Sequence, residues 1–238
     1  MKPNVLITGA SSEIGNALLK EIVAETDSDL ILTVHSRHAP SIDCNFDIYA
    51  MDLSTHAGID LLCKAIIDKE ITHYIQLQGN STIEDTLENQ TYSSLDFNLN
   101  VNLLSSVHII KTIITKMKTN NFGRIVLMNT ASSNHGGGIS SFGYGMAKHG
   151  VNFLTKYLAK YYTQYNILTN CVSPGLIETG FHERIMQKSK DEMKKRKISV
   201  RLGRAGQPQD VAKLIFKLSF ENEFISGENV KIDGADFI

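Results

Sequence analysis

The chain has 238 residues, 42% of them hydrophobic and 21% charged, which is ordinary for a soluble globular protein with one sizeable core. Its net charge of −1 gives no general attraction for nucleic acid or an anionic membrane, and no apolar run approaches the roughly 20 residues of a membrane span. The N-terminal sequence MKPNVLITGAS is too short in apolar length for a signal peptide. Cys44, Cys63 and Cys171 lack CxxC spacing, which is typical of a reducing compartment, and the eight dispersed histidines predict no metal site. We therefore predict one cytoplasmic domain over residues 1–238.

The chain begins with a predicted strand, a glycine turn and a helix. Residues 5–8 form a short apolar run, and GASSEIG at 9–15 leads into a helical periodicity at 16–24. Such a unit binds a dinucleotide when the N–H groups at the helix N-terminus meet the pyrophosphate. Gly9 would make the tight turn, and Gly15 would let the helix pack on the strand. A plain strand-turn-helix connection remains the alternative, because a partial glycine signature is permissive.

A second predicted strand, at 30–35, ends in Ser36 and Arg37. Sites for NAD usually place an acidic residue near this end to hold the ribose hydroxyls, whereas a basic residue suits the 2′-phosphate of NADP. Because the chain offers Arg37 and no acid at this point, the sequence favours NADP(H). The alternative is that Arg37 is a solvated loop residue.

Strands and helices alternate through the rest of the chain. The further predicted strands are 47–51, 72–77, 125–129, 167–172 and 229–232. The further predicted helices are 58–69, 92–118, 144–162 and 207–218, and a charged, mostly basic helical insertion lies at 181–201. This order predicts a single-domain α/β fold, a Rossmann-type doubly wound parallel sheet with helices on both faces. The insertion, at about 180–202, is predicted to be a substrate lid.

Tyr144 and Lys148 lie four residues apart in a predicted helix, so their side chains share one face. A lysine beside a tyrosine favours the phenolate, which would bring the pKa of the phenol down from about 10 towards the range of a general acid or base. Taken alone, such a pair is more often an incidental feature of an ordinary amphipathic helix. Asn102, a polar amide in the middle of the long predicted helix, also requires hydrogen-bond partners.

In their order and spacing these motifs resemble the short-chain dehydrogenase/reductase family over nearly the whole chain. The matching segments are TGASSEIG at 8–15, Asp52-Leu53, Gly79, Asn102, GRIV at 123–126 with the turn after it, Tyr144-x-x-x-Lys148, Pro174-Gly175-x-Ile177-x-Thr179 and Asp233-Gly234. The resemblance implies that Tyr144 protonates a ketone oxygen, that Lys148 lowers the pKa of Tyr144 and holds the nicotinamide ribose, and that Asn102 anchors a proton-relaying water. It also implies a set of residues that contact NADP(H): Gly9, Ser11, Ser12, Ile14, Gly15, Ser36, Arg37, Asp52, Leu53, Gly79, Tyr144, Lys148, Pro174, Gly175, Ile177 and Thr179.

The sequence departs from the family pattern at Glu13, where a glycine is usual. A carboxylate about 6 Å from a phosphate charge would cost roughly 3 kcal/mol at an effective dielectric constant near 20, unless it turns outward or pairs with a base such as Arg37. Weaker cofactor binding is therefore expected. In addition, the usual Asn-Asn-Ala-Gly after the fourth strand reads QLQG at 76–79, so the contact it makes is altered.

The hydroxyl that polarises the substrate carbonyl has two possible positions. Counting from Gly123 places Thr130 there, whereas counting back from Tyr144 points near Ala131, with Ser132 next to it. We favour Ser132, because its hydroxyl is of the type that the family uses, and keep Thr130 as the alternative.

The length, the RLGR sequence at 201–204 and the Asp-Gly near the end are most similar to 3-oxoacyl-[acyl-carrier-protein] reductases of fatty acid or polyketide biosynthesis. This similarity implies a 3-oxoacyl thioester on acyl carrier protein as the substrate, and a basic lid would attract an acidic carrier. Asn121 and Gln164-Tyr165 stand where those reductases use basic residues. Three lysines could substitute for them: Lys116, Lys118 and Lys160.

Two alternatives stay open. The same residues could serve a reductase or dehydrogenase of a small ketone, polyol, sugar or steroid. The altered 76–79 segment and Glu13 would also suit a non-catalytic NADP(H)-binding subunit, in which Tyr144, Lys148 and Asn102 have no joint purpose. The resemblance further implies a homo-oligomer, a dimer or a homotetramer, that packs through helices 92–118 and 144–162, although core packing explains their apolar residues equally well.

Overall fold

Seven parallel strands form one sheet in the order β3-β2-β1-β4-β5-β6-β7. The computed structural model describes residues 2–35, 46–181, 185 and 189–236. The strands are β1 (Asn4–Thr8), β2 (Asp29–Val34), β3 (Phe46–Ala50), β4 (His73–Gln76), β5 (Gly123–Met128), β6 (Ile167–Pro174) and β7 (Asn229–Ile232). The helices are α1 (Glu13–Glu25), α2 (His56–Ile66), α3 (Tyr92–Leu99), α4 (Ser105–Thr119), α5 (Phe142–Tyr162), α6 (Lys190–Ser199) and α7 (Pro208–Phe216). The predicted Rossmann-type doubly wound sheet is confirmed.

The central strands are apolar on both faces, which is why helices cover both sides of the sheet. In β5, Val126 packs with α1 and α7 on one side, whereas Ile125 and Leu127 pack with α2, α4 and α5 on the other. Each fully buried aliphatic side chain of this kind stabilises the fold by about 1.5–3 kcal/mol. Because all strands run the same way, their carboxyl ends meet at one edge of the sheet, where open α/β sheets bind ligands.

The long helix predicted at 92–118 is interrupted. A π-helical turn at Asn100–Leu104 separates α3 from α4. The sequence analysis missed this turn because apolar residues continue at helical spacing through it. Its physical cause is Asn102, whose side-chain amide bonds to backbone groups and competes with the regular helical ladder.

The basic insertion predicted at 181–201 contains one described helix, α6. Ser189 caps its N-terminus, with its side chain accepting from the backbone N–H of Glu192, and Arg196 pairs with Asp236 near the C-terminus. Residues 182–184 and 186–188 of the predicted lid lie outside the described residues, as do Ser36, Arg37 and Cys44. Nowhere in the described part of the chain is there a helix long and apolar enough to cross a membrane.

Candidate active site

A cavity of about 610 Å³ opens at the carboxyl ends of the central strands. Most of the residues predicted to contact a cofactor or substrate line it: Gly9, Ser11, Ser12, Ile14, Asp52, Leu53, Gly79, Thr130, Ser132, Tyr144, Lys148, Pro174, Gly175, Ile177 and Thr179. Two of the predicted residues, Gly15 and Asn102, do not line the cavity. Gly15 packs under the loop, where an added Cβ would come within 2.3 Å of the carbonyl oxygen of Ala10, and Asn102 is fully buried.

The glycine turn brings the N-terminus of α1 to the cavity. Gly9 has φ +73°, and a Cβ on it would lie 2.5 Å from the backbone nitrogen of Gln78, so only glycine fits between the two strand ends. Ser12 caps the helix by accepting the N–H of Gly15 at 3.0 Å, which starts α1 three residues earlier than the periodicity predicted. A helix N-terminus at the edge of an elongated cleft fits the pyrophosphate of a dinucleotide.

Glu13 also lines the cavity, at the first position of α1. Its Oε1 accepts the backbone N–H of Gly180 at 3.1 Å, which links the glycine turn to the segment that follows β6. The pairing with Arg37 considered in the sequence analysis falls outside the described residues. The carboxylate is thus held by a contact across the cleft, close to the helix N-terminus that fits a phosphate.

We expect Glu13→Gln to bind NADPH about threefold to tenfold more tightly than the wild type, because it removes a like charge near the phosphates and keeps an oxygen that accepts from Gly180. Titration of NADPH fluorescence measures the affinity. Glu13→Gly, which removes both the charge and the contact, serves as the comparison. Unchanged affinity in both variants would show that the carboxylate does not oppose the cofactor.

Tyr144, which is 8% exposed, lines the same cavity. The side chain of Thr130 acts to lower the pKa of the phenol, and the Thr130 and Ser132 hydroxyl oxygens lie 3.1 Å apart. Phe181 packs on the tyrosine with ring centroids 5.9 Å apart. Thr130 is therefore the hydroxyl that acts on the phenol, while Ser132, the residue favoured from the sequence, bonds to Thr130.

Lys148 is 1% exposed and donates from Nζ to the carbonyl oxygen of Met128 at 2.8 Å. The same nitrogen lies 5.7 Å from the centroid of the Tyr144 ring. Burial lowers the pKa of Lys148 to about 7, and burial raises the pKa of Tyr144 above its ordinary value, although the Thr130 side chain acts to lower it. Desolvation is the largest influence on the pKa of both groups in this structure, and the lowering of the tyrosine pKa by Lys148 stays a prediction.

Asn102 finds the partners that its buried position requires. Its Nδ2 donates to the carbonyl oxygens of Asn80 at 2.7 Å and Asn98 at 2.9 Å, and its Oδ1 accepts the N–H of Asn80 at 3.2 Å. A methyl group on Gly79 would lie 3.6 Å from Oδ1 of Asn102 and 3.8 Å from Nζ of Lys148. The predicted relay residue and the predicted catalytic lysine therefore approach each other around Gly79.

The unusual QLQG segment ties three strands together. Gln76 accepts the N–H of Met128 in β5 at 2.8 Å and donates to the carbonyl oxygen of Gln78 at 2.8 Å. Gln78 in turn accepts from Thr8 in β1 and donates to Ser105 at 3.0 Å. The side-chain amides of Gln76 and Gln78 thus connect the end of β4 to β5 and β1 beside the cleft.

Asp52 also lines the cleft. Its Oδ1 accepts hydrogen bonds from the side-chain hydroxyl and the backbone N–H of Ser54, at 2.6 and 3.0 Å, and these bonds hold the pKa of Asp52 below its ordinary value. His35 lies 3.9 Å from it and also lines the cavity. The sequence analysis missed several apolar lining residues, which carry no motif or shared period: Phe97, Val101 and Phe181.

A family model described as enoyl-(acyl carrier protein) reductase matches residues 9–234. The chain is 27% identical to the 3-oxoacyl-[acyl-carrier-protein] reductase FabG of Thermotoga maritima, over 97% of this chain and 96% of that protein. It is 30% identical to the 7alpha-hydroxysteroid dehydrogenase of Bacteroides fragilis, over 97% and 93% of the two chains.

Solved structures of similar proteins have the same fold as this chain. The structure of ElxO with NADP bound has a TM-score of 0.84 and 26% identity, and the match covers 99% of both chains. A short chain dehydrogenase of Leptospira borgpetersenii with bound NAD+ has the same TM-score and identity, over 100% of this chain and 94% of that one. Similar proteins thus bind either dinucleotide.

Proposed function

Because the chain belongs to the short-chain dehydrogenase/reductase family, we propose that it reduces a ketone to a secondary alcohol with NADPH. The observation that carries this proposal is the buried Tyr144 side chain, which lines the cleft together with Thr130 and has Lys148 beside its ring. A proton donor for a carbonyl must stand about 3 Å from the oxygen that it protonates. The hydroxyl of Tyr144 meets the cleft where a substrate can reach it.

In the proposed reaction Tyr144 donates its proton to the ketone oxygen while the carbonyl carbon accepts a hydride. NADPH supplies the hydride when bound, and the protein supplies position and electrostatics. Thr130 holds the carbonyl oxygen beside the phenol, Lys148 holds the nicotinamide ribose, and Asn102 anchors a water through which the proton is replaced. The remaining cleft residues would bind the dinucleotide as the family resemblance implies.

We assign the polarising hydroxyl to Thr130, since it lines the cleft with Tyr144 and its side chain acts on the pKa of the phenol. Thr130→Val should lower kcat about 10- to 100-fold, because a preorganised donor to the developing oxyanion is lost. Ser132→Ala should have a smaller effect, because Ser132 contacts Thr130 and not the phenol. Steady-state rates of both variants decide between them, and the opposite ranking would return the role to Ser132.

For the cofactor we propose NADP(H) over NAD(H). Arg37 follows β2 in the sequence, and residues 34–38 contain no Asp or Glu of the kind that usually holds the ribose hydroxyls of NAD. Both dinucleotides occur among similar proteins. Competition of NADPH and NADH in the same assay measures the preference.

The substrate that we propose is a 3-oxoacyl thioester on acyl carrier protein. The FabG relative and the apolar side chains in the cleft support it. So does the charge of the proposed lid: Lys194 and Lys195 on α6 are exposed, whereas Arg196 and Lys197 are engaged with Asp236 and Glu178. The exposed Lys194 and Lys195 would attract an acidic carrier protein to α6.

A small ketone or steroid is the second candidate, which the hydroxysteroid dehydrogenase relative favours. Asn121 and Gln164, in place of basic residues, also favour it over a carrier-bound substrate.

We also propose that the protein is a homo-oligomer in the cytoplasm. An aromatic row on α5, Phe153, Tyr157 and Tyr161, is exposed in the single chain and supports self-association.

The experiment follows NADPH absorbance with acetoacetyl-carrier protein, acetoacetyl-coenzyme A and a keto-steroid. Faster oxidation with the carrier-bound thioester, and loss of that advantage at high salt, would support the first candidate. Turnover of the steroid alone would support the second. Binding of NADPH without oxidation by any of the three would overturn the enzyme assignment and favour a non-catalytic subunit.

A further inference from the structure

The helix that carries Tyr144 begins without a capping side chain of its own. Ser141 occupies the N-cap position of α5, but its Oγ binds both backbone groups of Gly138, at 2.7 and 2.9 Å, and not the helix. The first N–H groups of a helix require partners when they are buried. Here they find them in Asp85, which lies between β4 and α3.

Three successive N–H groups of α5 donate to Asp85. Phe142 donates to its backbone oxygen at 2.8 Å, Gly143 to Oδ1 at 3.0 Å and Tyr144 to Oδ2 at 3.0 Å. Asp85 is 1% exposed, and its other hydrogen-bond donors among the described residues are neutral groups of Ser81, Gln90 and Asn98. A buried carboxylate at a helix N-terminus is stabilised by such donors and by the helix dipole.

The same carboxylate is connected to Asn102. The side-chain nitrogen of Asn98 lies 3.4 Å from Oδ1 of Asp85, and the backbone oxygen of Asn98 accepts from Asn102 at 2.9 Å. Hydrogen bonds through Asp85 and Asn98 therefore connect the backbone N–H of Tyr144 to the side-chain amide of Asn102. Movement of the loop that holds Asp85 would shift both groups relative to the cleft.

We propose that Asp85 is a positioning residue for the reaction, which holds the backbone of Tyr144 in register with the cleft and with Asn102. The inference rests on the proposed function. It predicts a loss in kcat without a loss in cofactor binding, because Asp85 supports the reacting hydroxyl and lies outside the set of residues that line the cavity. A misplacement of about 1 Å is enough to lower a rate by roughly 100-fold.

Glycines in α5 allow a test that leaves the carboxylate in place. A Cβ on Gly143 would lie 2.8 Å from Nδ2 of Asn98 and 3.1 Å from Oδ1 of Asp85, whereas a Cβ on Gly145 would meet no atom of the described residues within 4 Å. Both substitutions by alanine raise helix propensity. Gly143→Ala therefore disturbs the contact specifically, and Gly145→Ala is its matched control.

The experiment measures kcat, KM and NADPH affinity for Asp85→Asn, Gly143→Ala and Gly145→Ala. We expect kcat to fall about 10- to 100-fold in the first two, with KM and NADPH affinity near wild type, and to stay unchanged in the third. Wild-type kcat in Gly143→Ala, or a parallel loss of kcat and NADPH affinity, would overturn the proposal. If Asp85→Asn does not fold, Gly143→Ala decides alone. An inactive wild type would instead count against the proposed function, since the role of Asp85 is judged only relative to an active enzyme.

Discussion

Tyr144→Phe should lower kcat for ketone reduction by about 10²- to 10⁴-fold, the range that general acid catalysis contributes. The substitution removes one oxygen and keeps the ring that packs on Phe181. NADPH should therefore still bind, so that the loss appears in kcat and not in cofactor affinity. Stopped-flow measurement of NADPH oxidation, together with fluorescence titration of NADPH, separates the two quantities.

A matched control comes from Tyr92 at the start of α3, which is 92% exposed. Tyr92→Phe removes the same oxygen from a solvated position and should leave both rate and affinity at their wild-type values. Residual activity of Tyr144→Phe within tenfold of the wild type would contradict the assignment of Tyr144 as the general acid. The proton would then have to come from another group at the cleft.

The second large effect is expected for Lys148→Met, which should lower kcat by about 100-fold or more and weaken NADPH binding. The ammonium group donates to Met128 from a site that is 1% exposed and lies beside the Tyr144 ring. A methionine fills a similar volume but offers neither charge nor donor. Lys148→Arg is a useful comparison, because it keeps the charge and should still fail where a planar guanidinium does not fit.

Lys148→Met should also be more stable than the wild type at neutral pH. Burial lowers the pKa of Lys148 from about 10.5 to about 7, so between these values the unfolded chain binds a proton that the folded chain does not. The wild type therefore gains stability as pH rises from 7 to 10.5, by up to about 5 kcal/mol, and loses it as pH falls. Lys148→Met lacks this dependence.

Urea unfolding at several pH values measures this difference. The stability advantage of Lys148→Met should be largest near pH 7 and should shrink as pH approaches 10.5. A constant difference across this range would mean that Lys148 is charged in the folded chain throughout, and that its pKa is not lowered by burial. If Lys148→Met loses activity and gains stability, then Lys148 serves the function of the protein and lowers its free energy of unfolding.

The parts of the site that could be predicted from sequence are those that local patterns specify. The glycine turn at Gly9, the residues after β6 and the four-residue spacing of Tyr144 and Lys148 each depend on a few consecutive residues. Parallel strands then bring their carboxyl ends to one edge, so motifs that are distant in the chain line one cavity. This is why most of the predicted residues meet, although none of the motifs is specific by itself.

Other features depended on contacts that no local pattern encodes. Helical spacing reports that Tyr144 is close to Lys148 but not the loss of water around both groups, which raises the pKa of Tyr144 and lowers that of Lys148. The π turn at Asn102 arises from bonds to Asn80, which lies 22 residues earlier. Counting residues could not choose between Thr130 and Ser132, since the loop length alone leaves both open.

By itself, the sequence determined the α/β class, the order of strands and helices and the chemical types at the strand ends, because periodicity and turn residues act over short distances. Only the tertiary structure decided how deeply Tyr144 and Lys148 are desolvated and which residue caps α5. Asp85 and Tyr144 are 59 residues apart, so their contact exists only once the sheet and its helices have packed. Burial and long-range hydrogen bonds are properties of the folded chain, and they set the chemistry of this cleft.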